Sequence, residues 1–419
     1  MNNTKIAIFI LQLPFLLELI RRFIFPSAMV LAIIDVFVYI FFMKAISAGS
    51  IKNSEFYKNI LISIVVYGMF STFLTHKSLY LMYVGIRPLV LMVMYYSISE
   101  YIFIRANRSD FKRFYYFFIF WQIFIASLSF AQLLLGSENP INFLPEGASD
   151  DLNSVVKYED SDIFRPSSIF LFAGKYGQVA FFMATLPIVF VIGGIKNKLI
   201  YTLLIFGIIG LFISGQKAGI ISFLIISLMA IVYFKNYKIL IPITYIGIII
   251  LLSLLFVPAV LKEDFSYIIF DKIIEGFSII SSRSDDNFFS VYRPILNNLS
   301  LMGTGVGGLQ YSVMDISSFF IEIENSTLRI IAEWGFIGYS VYVASVLYLI
   351  FGKKYLYSRN LNKNNLTMYA KILNFATLAI FILLLFWSNT HDVFGNYLSC
   401  IILASIAGAA SGFTLRDQR

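Results

Sequence analysis

The sequence predicts an all-α, polytopic integral membrane protein with about twelve transmembrane helices and two long loops on the extracytoplasmic side. Three observations predict it. The 419 residues are 59% hydrophobic and 13% charged, about half the charged share of a soluble domain, and mean hydropathy is +0.81. Apolar runs of about 17 to 25 residues, enough to cross ~30 Å of hydrocarbon as a helix, recur from one end to the other. Lys and Arg gather mainly in short clusters in alternate loops, as the positive-inside rule requires.

The first apolar run, 6–20, carries one upstream lysine and no small-residue cleavage site before Arg21, so it reads as a retained helix and not a cleaved signal peptide. It is short, and Arg21 and Arg22 fall on its outer side. Spans follow at 25–43, 59–75, 84–104, 114–135, 170–193, 199–213, 218–234, 239–258, 327–351, 371–388 and 395–413. Five basic clusters set the orientation: Lys44, Lys52 and Lys58; Arg105, Arg108, Lys112 and Arg113; Lys196 and Lys198; Lys235 and Lys238; Lys353, Lys354, Arg359 and Lys363. These loops and both termini are expected in the cytoplasm. Residues 1–419 thus read as a single polytopic membrane domain.

Composition also excludes several functions. The net charge of +8 is explained by the cytoplasmic clusters, a topological signal and not a nucleic-acid-binding one. Cys400 is the single cysteine, which rules out an intrachain disulfide, and with only His76 and His391 no Cys/His metal site can be assembled.

Two long segments are expected on the extracytoplasmic face. Residues 136–168 are rich in Asp and Glu and end in FRPSSIF at Arg165. Residues 259–326 include a short surface helix over 264–277 and lead into a stretch where glycines, carboxylates and arginines crowd between apolar runs. Long polar segments of this kind are usually functional.

Cations outside the cytoplasmic clusters include Arg87, Arg165, Lys175, Lys217, Arg283, Arg293 and Arg329. A cation deep in a membrane helix costs roughly 2.5 to 3.5 kcal/mol and usually has an anionic partner. Loop carboxylates or lipid headgroups can supply it for any one of them; for Arg165, Lys217 and Arg293 together a shared anionic ligand is favoured. Lys217 lies in FISGQKAGI, where a tight turn from Ser214 and a cation at a helix start present backbone N–H groups and positive charge to one point. The GTGVGG cluster of Gly303, Gly305, Gly307 and Gly308 reads as an anion-binding nest or as a flexible turn, and it lacks the context of a Rossmann or P-loop motif.

Glu324 and Asn325 stand where an outer loop enters a membrane helix. A carboxylate at such a rim is partly desolvated, which moves its pKa toward the range useful for a general base; the alternative is a carboxylate favouring the helix dipole. Glu333, about two and a half turns further in, reads as a partner to a cation in the bundle ahead of a catalytic role. The Asp160-Ser161-Asp162 triplet has a form that elsewhere binds metal and sugar nucleotide, and in so acidic a loop coincidence is the favoured reading. His391, in SNTHDVFGN, lines the site or sits in a surface polar turn.

In this order these pieces resemble the O-antigen polymerase and O-antigen ligase superfamily of GT-C-type membrane glycosyltransferases. The resemblance runs over about 165–340. It rests on Arg165, the Ser214 to Lys217 turn, Arg293 ahead of Gly303 and Gly305, and then Glu324, Asn325, Leu328, Glu333, Gly335 and Gly338. It departs from the family at Lys217, where Arg is usual and bidentate phosphate contact is lost, and at Glu324, where ligases have the histidine proposed as their base. The second departure favours a polymerase.

The resemblance implies a GT-C-like fold and a donor glycan on undecaprenyl diphosphate. A sugar hydroxyl of a second lipid-linked repeat unit attacks the anomeric carbon, and undecaprenyl diphosphate leaves. Arg165, Lys217, Arg293 and Ser214 would bind the diphosphate, with Arg165 and Arg293 also catalytic, and Glu324 would deprotonate the attacking hydroxyl. Asn325, Glu333, Arg329, Arg87 and His391 are secondary candidates. No metal or other cofactor is expected, since protein cations take that role. The expected partners are the lipid-linked donor and acceptor, the lipid bilayer and a polysaccharide chain-length regulator, with no nucleic acid. The expected location is a bacterial cytoplasmic (inner) membrane with the site facing the periplasm or exterior. A ligase moving finished glycan to lipid A core or protein is the alternative within the class. A transporter is the alternative outside it, although carriers place binding groups on broken helices of two related halves, whereas here charge collects on one face.

Overall fold

The computed structural model of the chain describes residues 3–25, 29–47, 54–75, 77–105, 108–136, 139–142, 166–170, 173–239, 300–306, 326–352, 367–388, 394 and 396–416. Among them every regular element is helical. The α-helices are α1 (Asn3–Ile10), α2 (Leu13–Phe23), α3 (Met29–Ser47), α4 (Ser54–Thr75), α5 (Leu79–Arg105), α6 (Arg108–Leu135), α7 (Ala173–Ile192), α8 (Lys198–Ile213), α9 (Lys217–Phe234), α10 (Ser326–Leu347), α11 (Met368–Trp387) and α12 (Tyr397–Arg416). Seven described segments are long and apolar enough to cross a bilayer: Glu55–Thr75, Leu79–Arg105, Tyr116–Leu135, Ala173–Ile192, Ser326–Phe351, Met368–Trp387 and Tyr397–Arg416. Among its described residues the protein is therefore an all-helical membrane protein. The expected span 239–258 and most of both long loops lie outside the described residues.

The expected first crossing, 6–20, is instead two short helices. Pro14 sits in the first turn of α2, where its missing N–H is harmless; inside a continuous helix it would break the ladder. Gln12 finishes the break, its side-chain amide donating to the Ile8 carbonyl at 3.2 Å while its own carbonyl accepts from Phe15 N–H at 3.0 Å. With 8 and 11 residues, the two helices are about 12 and 17 Å long and neither crosses ~30 Å alone.

The chain forms two compact units, Met1–Trp121 with Ile295–Arg419, and Gln122–Pro294. In the first unit α5 and α12 form the core, each 78% buried over its apolar window against 28% for α4. Their approach is set by small residues one turn apart, Ala404, Gly408 and Gly412. A Cβ on Gly408 would stand 2.2 Å from the Tyr96 carbonyl oxygen, and one on Gly412 would stand 2.9 Å from that of Glu100. Such stripes let membrane helices pack backbone to backbone, and Ser99 Oγ adds a bond to the Ser405 carbonyl at 2.7 Å. On α4, by contrast, Ile62, Val66, Phe70 and Phe73 are exposed at helical spacing, an apolar face that suits lipid.

In the second unit α7 and α8 pack closely because Gly207 admits the α7 backbone, where a Cβ would stand 2.5 Å from the Met183 carbonyl oxygen. Gln122 of α6 joins both, its amide donating to the carbonyls of Met183 (2.9 Å) and Leu203. Tyr176 ties α7 to α8 by donating to the Gly210 carbonyl at 2.9 Å. Gln132 grips the buried residue Ser168 in both directions, accepting from its N–H at 2.7 Å and donating to its carbonyl at 3.2 Å.

Candidate functional site

Helix α8 ends at Ile213, and Ser214 caps it by donating its hydroxyl to the Leu211 carbonyl at 2.7 Å. Gly215 then turns the chain with φ +60°, a left-handed conformation suited to glycine. Gln216 is the N-cap of α9, but its side chain makes no cap hydrogen bond. The first helical bond runs from Ile220 N–H to the Gln216 carbonyl, at 3.1 Å. The amides of residues 217–219, which a helix leaves without intrahelical acceptors, are thus not closed by their own N-cap residue. Together with the dipole this favours an anion at the turn. Lys217 opens the helix; its side chain lies outside the described atoms.

Helix α10 is broken at Gly335, where φ is 68° and ψ 177°. In an unbroken helix Phe336 N–H would bond to the Ala332 carbonyl and Ile337 N–H to that of Glu333. Here Ser300–Gly305 inserts into both rungs. Phe336 and Ile337 donate to the carbonyls of Ser300 (3.3 Å) and Leu301 (3.2 Å), while Thr304 and Gly305 donate to those of Ala332 (2.8 Å) and Glu333 (3.2 Å). Tyr67 of α4 donates to the next carbonyl, Trp334, and stacks on its indole with ring centroids 5.7 Å apart. A helix break of this kind is tolerated in a membrane because its polar groups are satisfied by protein.

The described part of the GTGVGG cluster is therefore a backbone clamp. The Gly303 N–H is taken by Ser300 Oγ at 2.8 Å, and the next two amides by the broken helix, so these three are not open to an anion. Gly307 and Gly308 lie outside the described residues. Arg329, one turn before the clamp, faces the Glu333 side chain at 3.9 Å, the two side chains being 3% and 1% exposed. At the start of the same helix, Ser326 N–H donates to the Ser388 carbonyl at 2.9 Å, and Ser326 Oγ accepts from Phe394 N–H at 3.3 Å. These bonds fix the entry of α10 against the end of α11.

Arg87 is held by Asp35 of α3 in a two-pronged pair, Nε to Oδ2 at 2.7 Å and Nη2 to Oδ1 at 3.1 Å. Tyr83 also donates to this carboxylate, and the guanidinium lies 4.7 Å over the Tyr397 ring. Tyr397 in turn donates to Glu18 at 2.5 Å, so four helices, α2, α3, α5 and α12, share one buried polar chain. On α2, Arg22 is fully buried, and burial pushes its guanidinium down to about 10, still protonated at neutral pH.

Among the expected site residues the structure thus describes Ser214, the backbone of Lys217, Arg87, Arg329 and Glu333. Arg165, Arg293, Glu324, Asn325 and His391 lie outside the described residues. Asp35, Glu18, Tyr67 and Gln216 were not singled out by sequence. For Asp35 and Glu18 the usable signal was a carboxylate inside an apolar run. Among the described residues no group of three or more His, Cys, Asp or Glu side chains is placed to hold a metal ion. No family model and no curated protein matches the sequence.

Proposed function

We propose that this chain is a membrane glycosyltransferase of the O-antigen polymerase type, joining undecaprenyl-diphosphate-linked repeat units into a surface polysaccharide on the extracytoplasmic face of a bacterial cytoplasmic membrane. The observation that carries the reading is the start of α9, a cation-led helix N-terminus in an apolar membrane protein that its own N-cap side chain leaves unbonded. A lipid diphosphate needs this chemistry: backbone donors, a positive dipole and a side-chain cation for an anion delivered from the bilayer.

In the reaction a sugar hydroxyl of the acceptor bonds to the donor's anomeric carbon, and the bond from that carbon to the diphosphate oxygen breaks. Glu324 takes the hydroxyl proton. Arg165, Lys217 and Arg293 stabilise the charge that grows on the leaving diphosphate. Arg329 and Glu333, as a mutually neutralising buried pair, hold the α10 entry in place, and Arg87 does the same for α5 through Asp35.

The test is reconstitution of the purified protein in lipid vesicles with a defined undecaprenyl-diphosphate oligosaccharide. A polymerase yields a ladder of lipid-linked products. A single transfer that requires a lipid A core or protein acceptor assigns a ligase, and no transfer to any acceptor rejects the enzyme class. One observation favours a second reading: the broken helix α10 is a feature that carriers use for binding. Solute flux into vesicles without any glycosyl transfer decides for the carrier.

A further inference from the structure

We propose that Gln216 is a recognition residue for the sugar bonded directly to the diphosphate. The proposal rests on the lipid-diphosphate reading above and adds a substrate feature to it. Gln216 is 3% exposed, and neither its Oε1 nor its Nε2 has a hydrogen-bond partner. Buried polar side chains are nearly always satisfied, so a buried amide with both ends unmet points to an occupant. As the N-cap of α9 it makes no side-chain cap bond, and its side chain rests on Gly177 of α7, where a Cβ would stand only 1.7 Å from Oε1. Glycine at 177 is what leaves room for the amide there.

Two kinds of polar group therefore adjoin at one turn, the first-turn amides that the N-cap side chain does not bond and the Gln216 amide itself. The first-turn amides of α9 are donors only, which suits an anion. The Gln216 amide offers one acceptor and one donor head, which a phosphate satisfies only at Nε2 because phosphate oxygens accept and do not donate. A hydroxyl both donates and accepts, and neighbouring hydroxyls on a sugar ring can engage both ends of an amide. The group that brings hydroxyls within one residue's reach of a diphosphate is the sugar attached to it.

The experiment uses the full chain in lipid nanodiscs and measures binding of undecaprenyl diphosphate, bare and carrying one glucosyl, galactosyl or 2-acetamido-hexosyl residue. Wild type is expected to hold at least one sugar-bearing lipid about 10-fold or more tightly than the bare lipid, the scale of one or two net hydrogen bonds to the amide. Gln216→Ala and Gln216→Met, the second of similar length, are expected to erase that preference while leaving the bare lipid within about twofold, less than one net hydrogen bond. Gly177→Ala is expected to erase it too, by displacing the amide, and to add nothing to Gln216→Ala. Equal weakening of both lipids makes Gln216 a phosphate ligand and overturns the proposal. An unchanged sugar preference in properly folded Gln216→Met overturns it in favour of a buried water. Wild type that binds neither lipid overturns the lipid-diphosphate reading itself, whereas wild type that binds bare and sugar-bearing lipids alike leaves that reading standing and removes only the role of Gln216.

Discussion

Gly303 and Gly335 meet backbone to backbone. A Cβ on Gly303 would stand 2.5 Å from the Gly335 nitrogen, and one on Gly335 would stand 2.4 Å from the Gly303 nitrogen. This contact lets Ser300–Gly305 replace two rungs of α10, and it joins the segment that follows Arg293 to the helix that follows Glu324. Gly335 also has φ 68° and ψ 177°, a region open essentially to glycine alone. Gly335→Ala is expected to cost ~3 kcal/mol or more, from left-handed strain of about 1 to 2 kcal/mol and lost clamp bonds of about 1 kcal/mol each. Gly303→Ala should behave alike. Gly174→Ala, with nothing within 4 Å of its added Cβ, should be nearly neutral. Thermal unfolding in detergent measures all three, and equal melting temperatures for them would remove the clamp from the account.

Helix placement was legible because an apolar run long enough to cross a bilayer leaves few alternatives. The expected 371–388 lies on Met368–Trp387 and the expected 84–104 on Leu79–Arg105. The break at Gly335 was not legible, since hydropathy runs through it and its cause is a segment about 30 residues upstream. The first span was misread for a different reason: Pro14 is visible in the sequence, but the apolar run outweighed it. Arg329 and Glu333, four positions apart on one helix, were readable as neighbours. The pairing of Arg87 with Asp35 was not, because 52 positions separate them and only tertiary packing brings them together.

That pair gives a second prediction. Arg87 and Asp35 are mostly buried, with side chains 14% and 18% exposed, and their geometry is a two-pronged fork that lysine cannot reproduce. Arg87→Lys should destabilise the protein measurably. In a double-mutant cycle, Arg87→Met with Asp35→Leu should be less damaging than the sum of the single changes by about 1 to 3 kcal/mol, because each single change leaves a buried charge unpaired. Additive losses in chemical denaturation would show that the pair is not coupled.

The α5–α12 seam predicts a graded series. A methyl group at Gly408 meets the Tyr96 carbonyl oxygen at 2.2 Å, a backbone atom that cannot swing aside. At Gly412 the nearest atom is Phe103 Cβ at 2.7 Å, followed by the Glu100 carbonyl oxygen at 2.9 Å. Gly408→Ala should therefore lower the melting temperature more than Gly412→Ala, and Gly408→Leu should prevent stable packing, since overpacking costs about 1 to 3 kcal/mol even where neighbours can adjust. The reverse order of the two alanine variants would place the closest approach elsewhere along the seam.

The proposed chemistry makes its own demand on residues 165, 217, 293 and 324. If Glu324 takes the acceptor proton, Glu324→Gln removes the base while keeping size and polarity, and polymer formation should fall about 10² to 10⁴-fold. Arg293→Ala and Arg165→Ala should do the same by removing stabilisation of the leaving diphosphate. Arg→Lys at either position separates charge from fork geometry: activity kept by lysine assigns a charge role, activity lost assigns bidentate contact. Lys217→Arg should be tolerated, because a guanidinium keeps the positive charge at the start of α9. Polymer length is read on cell-surface glycan at matched membrane protein levels. Unchanged length in both Arg293→Ala and Glu324→Gln would exclude these residues from the reaction and, with them, the polymerase reading of this chain.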